Sequence, residues 1–245
     1  MFSPAMPPDA RLPRRNAAAI KPPRFPILPF DEWRISLARG SALSPGLLMP
    51  GESLVSILWK FACANALPGH ALLHLISPEV DPHEGVAPAR DALDLTRLCR
   101  VLRLPSNVLR ASLPGAAPRD RYHEVFRYCR QCAAHGYHSV LFQREDENLC
   151  PAHQQSLQTC CPYCNGETPY IINARVIGAP FRCGWCHSHY SYGRLSLLST
   201  TAAMRRQDRI AISRRLRLRS GNDVDAVHPA RMEMSGGDTC AKSSR

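Results

Sequence analysis

The chain has 245 residues with 7% aromatics and 22 prolines, so it has enough length for a buried core but much of that length is not core. No apolar run of about 18 residues argues for a membrane span. The opening MFSPAMPPDARLPRRN lacks the apolar stretch and cleavage site of a secreted protein, which argues against reading eleven cysteines as a disulfide framework. The expectation is a reducing, cytoplasmic setting, and the formal charge of +11 favours anionic partners, nucleic acid first among them.

Residues 1–46 form a Pro-rich segment with little apolar material to offset the entropy of ordering, and disorder is expected there. Its Arg11, Arg14, Arg15, Lys21 and Arg24 suit a solvated tail better than a phosphate-binding arm. Residues 47–118 read as a helical unit. In PGESLVSILWKFACANAL, Leu54, Ile57, Leu58 and Phe61 recur at helical spacing, Val55, Trp59 and Ala62 widen the stripe, and Glu52 falls in the first turn. Pro68-Gly69 stops this helix, and a second one, HALLHLIS, follows. His70 and His74 lie four apart on it, but no other ligand pair is left to complete a metal site there.

After a Pro/Asp/Gly-rich loop at 79–89, two helices are expected at 90–102 and 106–112, broken at Leu104-Pro105, with Ser106 or Asn107 as the cap of the second. The pattern is helix-turn-helix-like. In that motif Ser106, Asn107 and Arg110 would be the exposed readers of a major groove; in a plain helical bundle the same pair would only pack.

Residues 119–192 carry four ligand pairs of two-residue spacing. Cys129/Cys132 with Cys150/His153, and Cys161/Cys164 with Cys183/Cys186, make two complete sets at zinc-ribbon separations. Two such pairs, brought together, close a tetrahedral structural zinc site. Bound as thiolates, the seven cysteines contribute seven negative charges and two zinc ions four positive, lowering +11 to +8. Cys160 falls outside the spacing. His187 and His189 follow Cys186 closely enough for a ligand swap but find no vacancy, and His135 and His138 suit hydrogen bonding. Four protein ligands per ion leave no open position for metal catalysis. No Gly-rich phosphate loop, HExxH or GxSxG is present either, so no enzyme and no small-molecule substrate are expected. Cys63, Cys99 and Cys240 are isolated thiols, two of them on apolar stripes. YHSVLF and PYIINARV have the β-branched and aromatic content for short strands around the ligand turns, and the metals are expected to replace a large core.

Residues 193–219 concentrate the basic excess. Arg205, Arg206, Arg209, Arg214, Arg215, Arg217 and Arg219 crowd one helix, expected to start near Thr200 or Thr201, against a single acidic residue, Asp208. Such a run neutralises several phosphates, docks a protein, or stays solvated. Residues 220–245 are small and polar and are expected to be a disordered tail.

Two stretches resemble the TniQ/TnsD family. PGESLVSILWKFACAN is similar to its opening helix, and RYCRQCAAHGYHSVLFQ, CPAHQQSL and CPYC are similar to its paired zinc motifs, with Gly136-Tyr137-His138 the most characteristic run. The resemblance covers about 47–190. Arg130 stands where the family usually has proline, and one basic helix follows where members continue through a further helical domain. The resemblance implies a non-enzymatic adaptor that selects transposition targets on DNA, directly or through an RNA-guided complex, and recruits an AAA+ transposition regulator. The setting it implies is bacterial and nucleoid-associated, and a homodimer is left open. The expected architecture is mainly α: a helix-turn-helix-like unit, a small zinc-stabilised α+β module, and a C-terminal basic helix. Rival readings are a zinc-stabilised protein-interaction scaffold and a zinc-ribbon RNA-binding module.

Overall fold

Helix α1 (Leu54–Ala64) is central to the computed structural model, which describes residues 43, 45–115, 121–191 and 204–224. The chain divides into two compact units, 1–35 and 36–245, and every described residue belongs to the second. Most of the expected Pro-rich segment and residues 225–245 lie outside the described residues.

The apolar residues of α1 cover more than one face, and the helix is accordingly buried nearly all round, from Leu54 to Ala62 with only Lys60 partly outside. Ser53 is its N-cap, accepting from the Ser56 N–H at 3.2 Å. Glu52 therefore lies before the helix and not in its first turn. Burial pushes its carboxyl up; Lys60 Nζ at 2.6 Å, Ser56 Oγ at 2.6 Å and the Met49 N–H at 3.0 Å offset that cost. Trp59 donates its indole N–H to the Val176 carbonyl at 2.6 Å and packs against the rings of Phe126 and Phe181. Removing such a side chain costs about 3–5 kcal/mol.

Helix α2 (Gly69–Ile76) follows as expected, and α3 (Leu95–Leu102) and α4 (Ser106–Ala111) make the next pair. α3 starts five residues later than its pattern suggests, because Asp94 accepts from the Arg97 N–H at 3.0 Å and caps it. It ends at Arg103 in the left-handed region, φ 54°, the role a glycine often takes in such a turn. Pro105 occupies the N-cap position of α4 without a side-chain bond, so neither Ser106 nor Asn107 caps it.

The 121–191 segment differs from expectation in its secondary structure. Among the described residues no extended strand forms, only isolated β-bridges such as Tyr128 with Gln158 and Val86 with Ile172. YHSVLF instead contains a 3-10 turn over Val140–Gln143, started when Ser139 Oγ accepts from the Leu141 N–H. PYIINARV runs into α6 (Ala174–Ile177), started by Asn173 accepting from the Val176 N–H at 2.8 Å. Local side-chain acceptors outcompete β-propensity at both places.

A larger core exists than the metal-stabilised reading expects. Residues on both sides of position 118, from Leu54 and Leu72 to Phe126, Ile172 and Tyr190, form one apolar cluster that also contains Cys161 and Cys183. α2 meets α6 so closely that a Cβ on Gly69 would collide with the Ala174 carbonyl oxygen. Helix α5 (Arg130–Ala134) lies in the first ligand loop, and α7 (Arg206–Val224) closes the described chain. The described helix α7 begins at Arg206 and runs five residues past 219, where a tail was expected; the expected start near Thr200 or Thr201 lies outside the described residues. No described helix is long and apolar enough to cross a membrane.

Candidate metal centres

The ligand turns share a local construction. Gln154, Asn165 and His187 each follow the second ligand of a pair at positive φ, 51°, 56° and 58°. Their N–H groups donate to the carbonyls of Cys150, Cys161 and Cys183 at 2.8, 2.9 and 2.9 Å. That bond folds the two ligand side chains of each pair toward one point. In the remaining pair, Cys129 is the N-cap of α5 and Cys132 lies inside it, and the Ala133 N–H donates to the Cys129 carbonyl at 2.9 Å.

The eight expected ligands come together in two groups of four, with all ligand atoms of a group within 4.8 Å of one another. In the first, Cys132 Sγ lies 3.6 Å from Cys150 Sγ, and His153 Nδ1 lies 3.4 to 3.5 Å from the three sulfurs. In the second, Cys161 to Cys186 is 3.6 Å and Cys164 to Cys183 is 3.7 Å. A tetrahedral ion bonded at about 2.3 Å to sulfur and about 2.0 Å to nitrogen has edges of about 3.8 and 3.5 Å. Both groups thus have the dimensions to hold one metal ion each. All ten cysteines among the described residues are free.

Four ligand groups this close cannot hold protons independently. Cys129 is driven below the ordinary thiol range by its hydrogen bond with Cys132, and Cys132 is driven above it. In the second group Ser188 pulls Cys186 down to about 6, whereas burial pushes Cys161 up to about 12. A central cation replaces this proton sharing with one favourable charge. Of the nearby residues weighed as alternatives, Cys160 Sγ donates to Glu167 Oε1, the His187 N–H donates to the Cys183 carbonyl, and the His138 ring makes structural hydrogen bonds.

That histidine belongs to the Gly136-Tyr137-His138 run, which joins the first centre to α1. Gly136 turns the chain at φ 63°. Tyr137 Oη donates to the Pro50 carbonyl at 2.8 Å, Ser53 Oγ lies 2.7 Å from His138 Nδ1, and His138 Nε2 lies 2.7 Å from the Arg127 carbonyl. The Ser53 and Val140 N–H groups complete the seam by donating to His138 O and Gly51 O.

The two centres differ in what covers them. Cys129, Cys132 and Cys150 are buried in one apolar cluster with Tyr137, Phe142, Met204 and Ile212, so α7 and the residue before Arg205 roof the first centre. Asp208 Oδ2 lies 3.7 Å from His153 Nε2, the ring nitrogen turned away from the sulfurs. At the second centre Cys164 and Cys186 are exposed, flanked by Tyr163 at 69% and Trp185 at 54% exposure. Trp185 is nevertheless fixed: its indole N–H donates to Glu167 O at 2.8 Å and the Arg175 guanidinium sits 4.2 Å from its ring centre.

The docking of α7 divides the expected cationic residues. Arg215 and Arg219 face inward, onto Glu147 Oε1 at 2.6 and 3.0 Å, and Arg219 also pairs with Asp146. Arg205, Arg206, Arg209, Arg214 and Arg217 remain exposed. Arg206, Arg209 and Arg217 line one shallow hollow with Ser213, whereas Arg214 opens on another side, beside Leu149 and Leu218. Ser106, Asn107 and Arg110 are exposed on α4. Sequence reasoning missed Asp146, Glu147, Asp208 and Ile212 as parts of this arrangement; the spacing of Asp208, Ile212 and Leu216 at every fourth residue is the signal that marks the inward face. No family model matches the chain, and no curated protein matches it either.

Proposed function

We propose that the chain is a non-enzymatic DNA-targeting adaptor in transposition, of the TniQ/TnsD kind, held together by two structural zinc ions. Zinc suits four-ligand sets of thiolate and imidazole with tetrahedral edges, and a closed shell of protein ligands suits a structural ion. The observation that carries the DNA reading is the division of α7: two arginines anchor the helix to the acidic turn, and five others are left exposed. An anchored row of cations meets phosphates without first losing the freedom of a loose helix. The helix-turn-helix-like pair α3/α4 presents Ser106, Asn107 and Arg110 as candidate base readers.

The test is duplex DNA binding by fluorescence anisotropy between about 50 and 200 mM salt. Affinity is expected to fall steeply with salt, and Arg206→Ala, Arg209→Ala and Arg217→Ala each to lower the slope by about 1. Absent or salt-insensitive binding would sink the DNA reading. Capture of an AAA+ ATPase encoded beside the gene tests the transposition part.

One observation favours a second reading, an RNA-binding zinc module: Tyr163 and Trp185 offer exposed rings on which unpaired bases stack. Preference for single-stranded RNA over duplex, with quenching of Trp185 emission, would carry that reading instead.

A further inference from the structure

A groove of about 430 Å³ runs between the 48–52 segment and α4. Leu48, Met49 and Pro50 form one wall, and Leu104, Val108 and Ala111 contribute the other. The one carboxylate at the groove, Glu52, is buried and engaged with Lys60, Ser56 and Met49, so it offers a ligand no free charge. Val108 is half-buried, and Pro50 and Ala111 are exposed. The groove is therefore an accessible, mostly apolar concavity.

Pro50 is also a wall of the hollow that Arg206, Arg209 and Arg217 line from α7, about 320 Å³ in volume. This shared wall is fixed from both sides. Tyr137 donates to its carbonyl at 2.8 Å, and the next residue, Gly51 at φ 66°, packs against the Leu216 side chain of α7. An apolar groove and three cations thus adjoin across one immobilised residue.

We propose that this joint surface docks an acidic amphipathic segment of a partner protein, with apolar side chains in the groove and carboxylates on Arg206, Arg209 and Arg217. The inference goes beyond the DNA reading and does not rest on it, although the two share arginines. A phosphate backbone would use the arginines but gain nothing from Leu48 or Val108. A neutral apolar segment would fill the groove and leave the cations unmatched. An acidic amphipathic segment uses both features, the groove for affinity and the charges for encounter and orientation.

The test uses the full chain and labelled synthetic peptides in fluorescence anisotropy. One peptide repeats leucine at helical spacing among glutamates, a second has lysines for the glutamates, and a third has glutamates without leucines. Only the first is expected to bind, and Ala111→Glu in the groove and Arg209→Glu on α7 are each expected to weaken it by about tenfold or more. Val108→Ser is the milder groove variant if Ala111→Glu does not fold, with folding checked by circular dichroism and metal content. Duplex DNA binding is expected to survive Leu48→Ser, a groove variant on the wall away from α4, and to fall with Arg209→Glu. Equal binding of the leucine-free peptide, indifference to the groove variants, or loss of DNA binding with Leu48→Ser would overturn the proposal. DNA binding absent from the unmodified chain, with the peptide pattern intact, would sink the DNA reading and leave this one standing.

Discussion

Glu147 Oε1 lies 2.6 Å from Arg215 Nε, and through that pair the turn leading into Cys150 holds the C-terminal helix. Glu147 is 7% exposed but Arg215 is 37% exposed, so the pair falls between a surface and a buried ion pair. Glu147→Gln should loosen α7 by about 1–2 kcal/mol, because Arg219 loses its partner at the same oxygen. Hydrogen exchange over 204–224 should quicken while both metals are retained. Unchanged exchange there would show that apolar contacts alone hold the helix.

Asp208 contributes in another way. Its carboxylate faces the outer nitrogen of His153 at 3.7 Å, the position from which an acidic partner fixes a metal-binding imidazole. Asp208→Asn is expected to lower metal affinity about tenfold at the first centre and to leave the second unchanged. Titration against a chromophoric chelator, with Cys161→Ser isolating the first centre, measures the difference.

Unequal covering predicts unequal metal loss. Cys164 and Cys186 are exposed, whereas Cys129, Cys132 and Cys150 are buried beneath α7. Excess chelator should remove two ions in two phases, the faster one from the second centre. Cys164→Ser should abolish the fast phase; a single phase from the unmodified protein, or loss of the slow phase in the variant, would contradict the assignment.

The buried His138 gives a pH dependence with a definite sign. Burial lowers its pKa from 6.5 to about 4, and the neutral ring is kept between Ser53 and the Arg127 carbonyl. The unfolded chain takes up the proton first, so the contribution is full above pH 6.5 and is lost as pH falls from there toward 4. Acid also protonates the thiolates, so the comparison is with His138→Gln. The stability gap between the two proteins should narrow by about 2 kcal/mol between pH 7.5 and 5.

Gly69→Ala tests the close approach of α2 to α6. A methyl group there meets the backbone of Ala174, which cannot rotate away as a side chain would. The expected cost is about 1–3 kcal/mol in denaturant unfolding, despite the better helix propensity of alanine.

The candidate metal ligands were legible because a two-residue spacing determines its own turn: five residues and one N–H to carbonyl bond bring each pair together. α1 was legible for a similar reason, since its apolar stripe is visible within one short window. The supposed strands were misread because Ser139 and Asn173 start helical turns with their own side chains, an effect that counting β-branched residues overlooks. The arginines of α7 look alike in sequence. Only docking separates Arg215 and Arg219 from Arg206, Arg209 and Arg217, and docking depends on Glu147, some seventy residues earlier. The core shared across position 118 was hidden likewise, since Trp59 finds Phe181 and the Val176 carbonyl far along the chain.

The roof over the first centre has a consequence for how the protein is made. Synthesis proceeds from the N-terminus at roughly 5–20 residues per second, so Cys129 through His153 leave the ribosome well before Ile212 and the rest of α7. The second centre has all its ligands by Cys186, and its later neighbours Ser188 and Tyr190 follow within four residues. During translation the earlier ligand set is therefore the one that waits, open to solvent, until the helix arrives. A ribosome stalled before Arg206 would hold a chain whose more deeply buried metal centre is still uncovered.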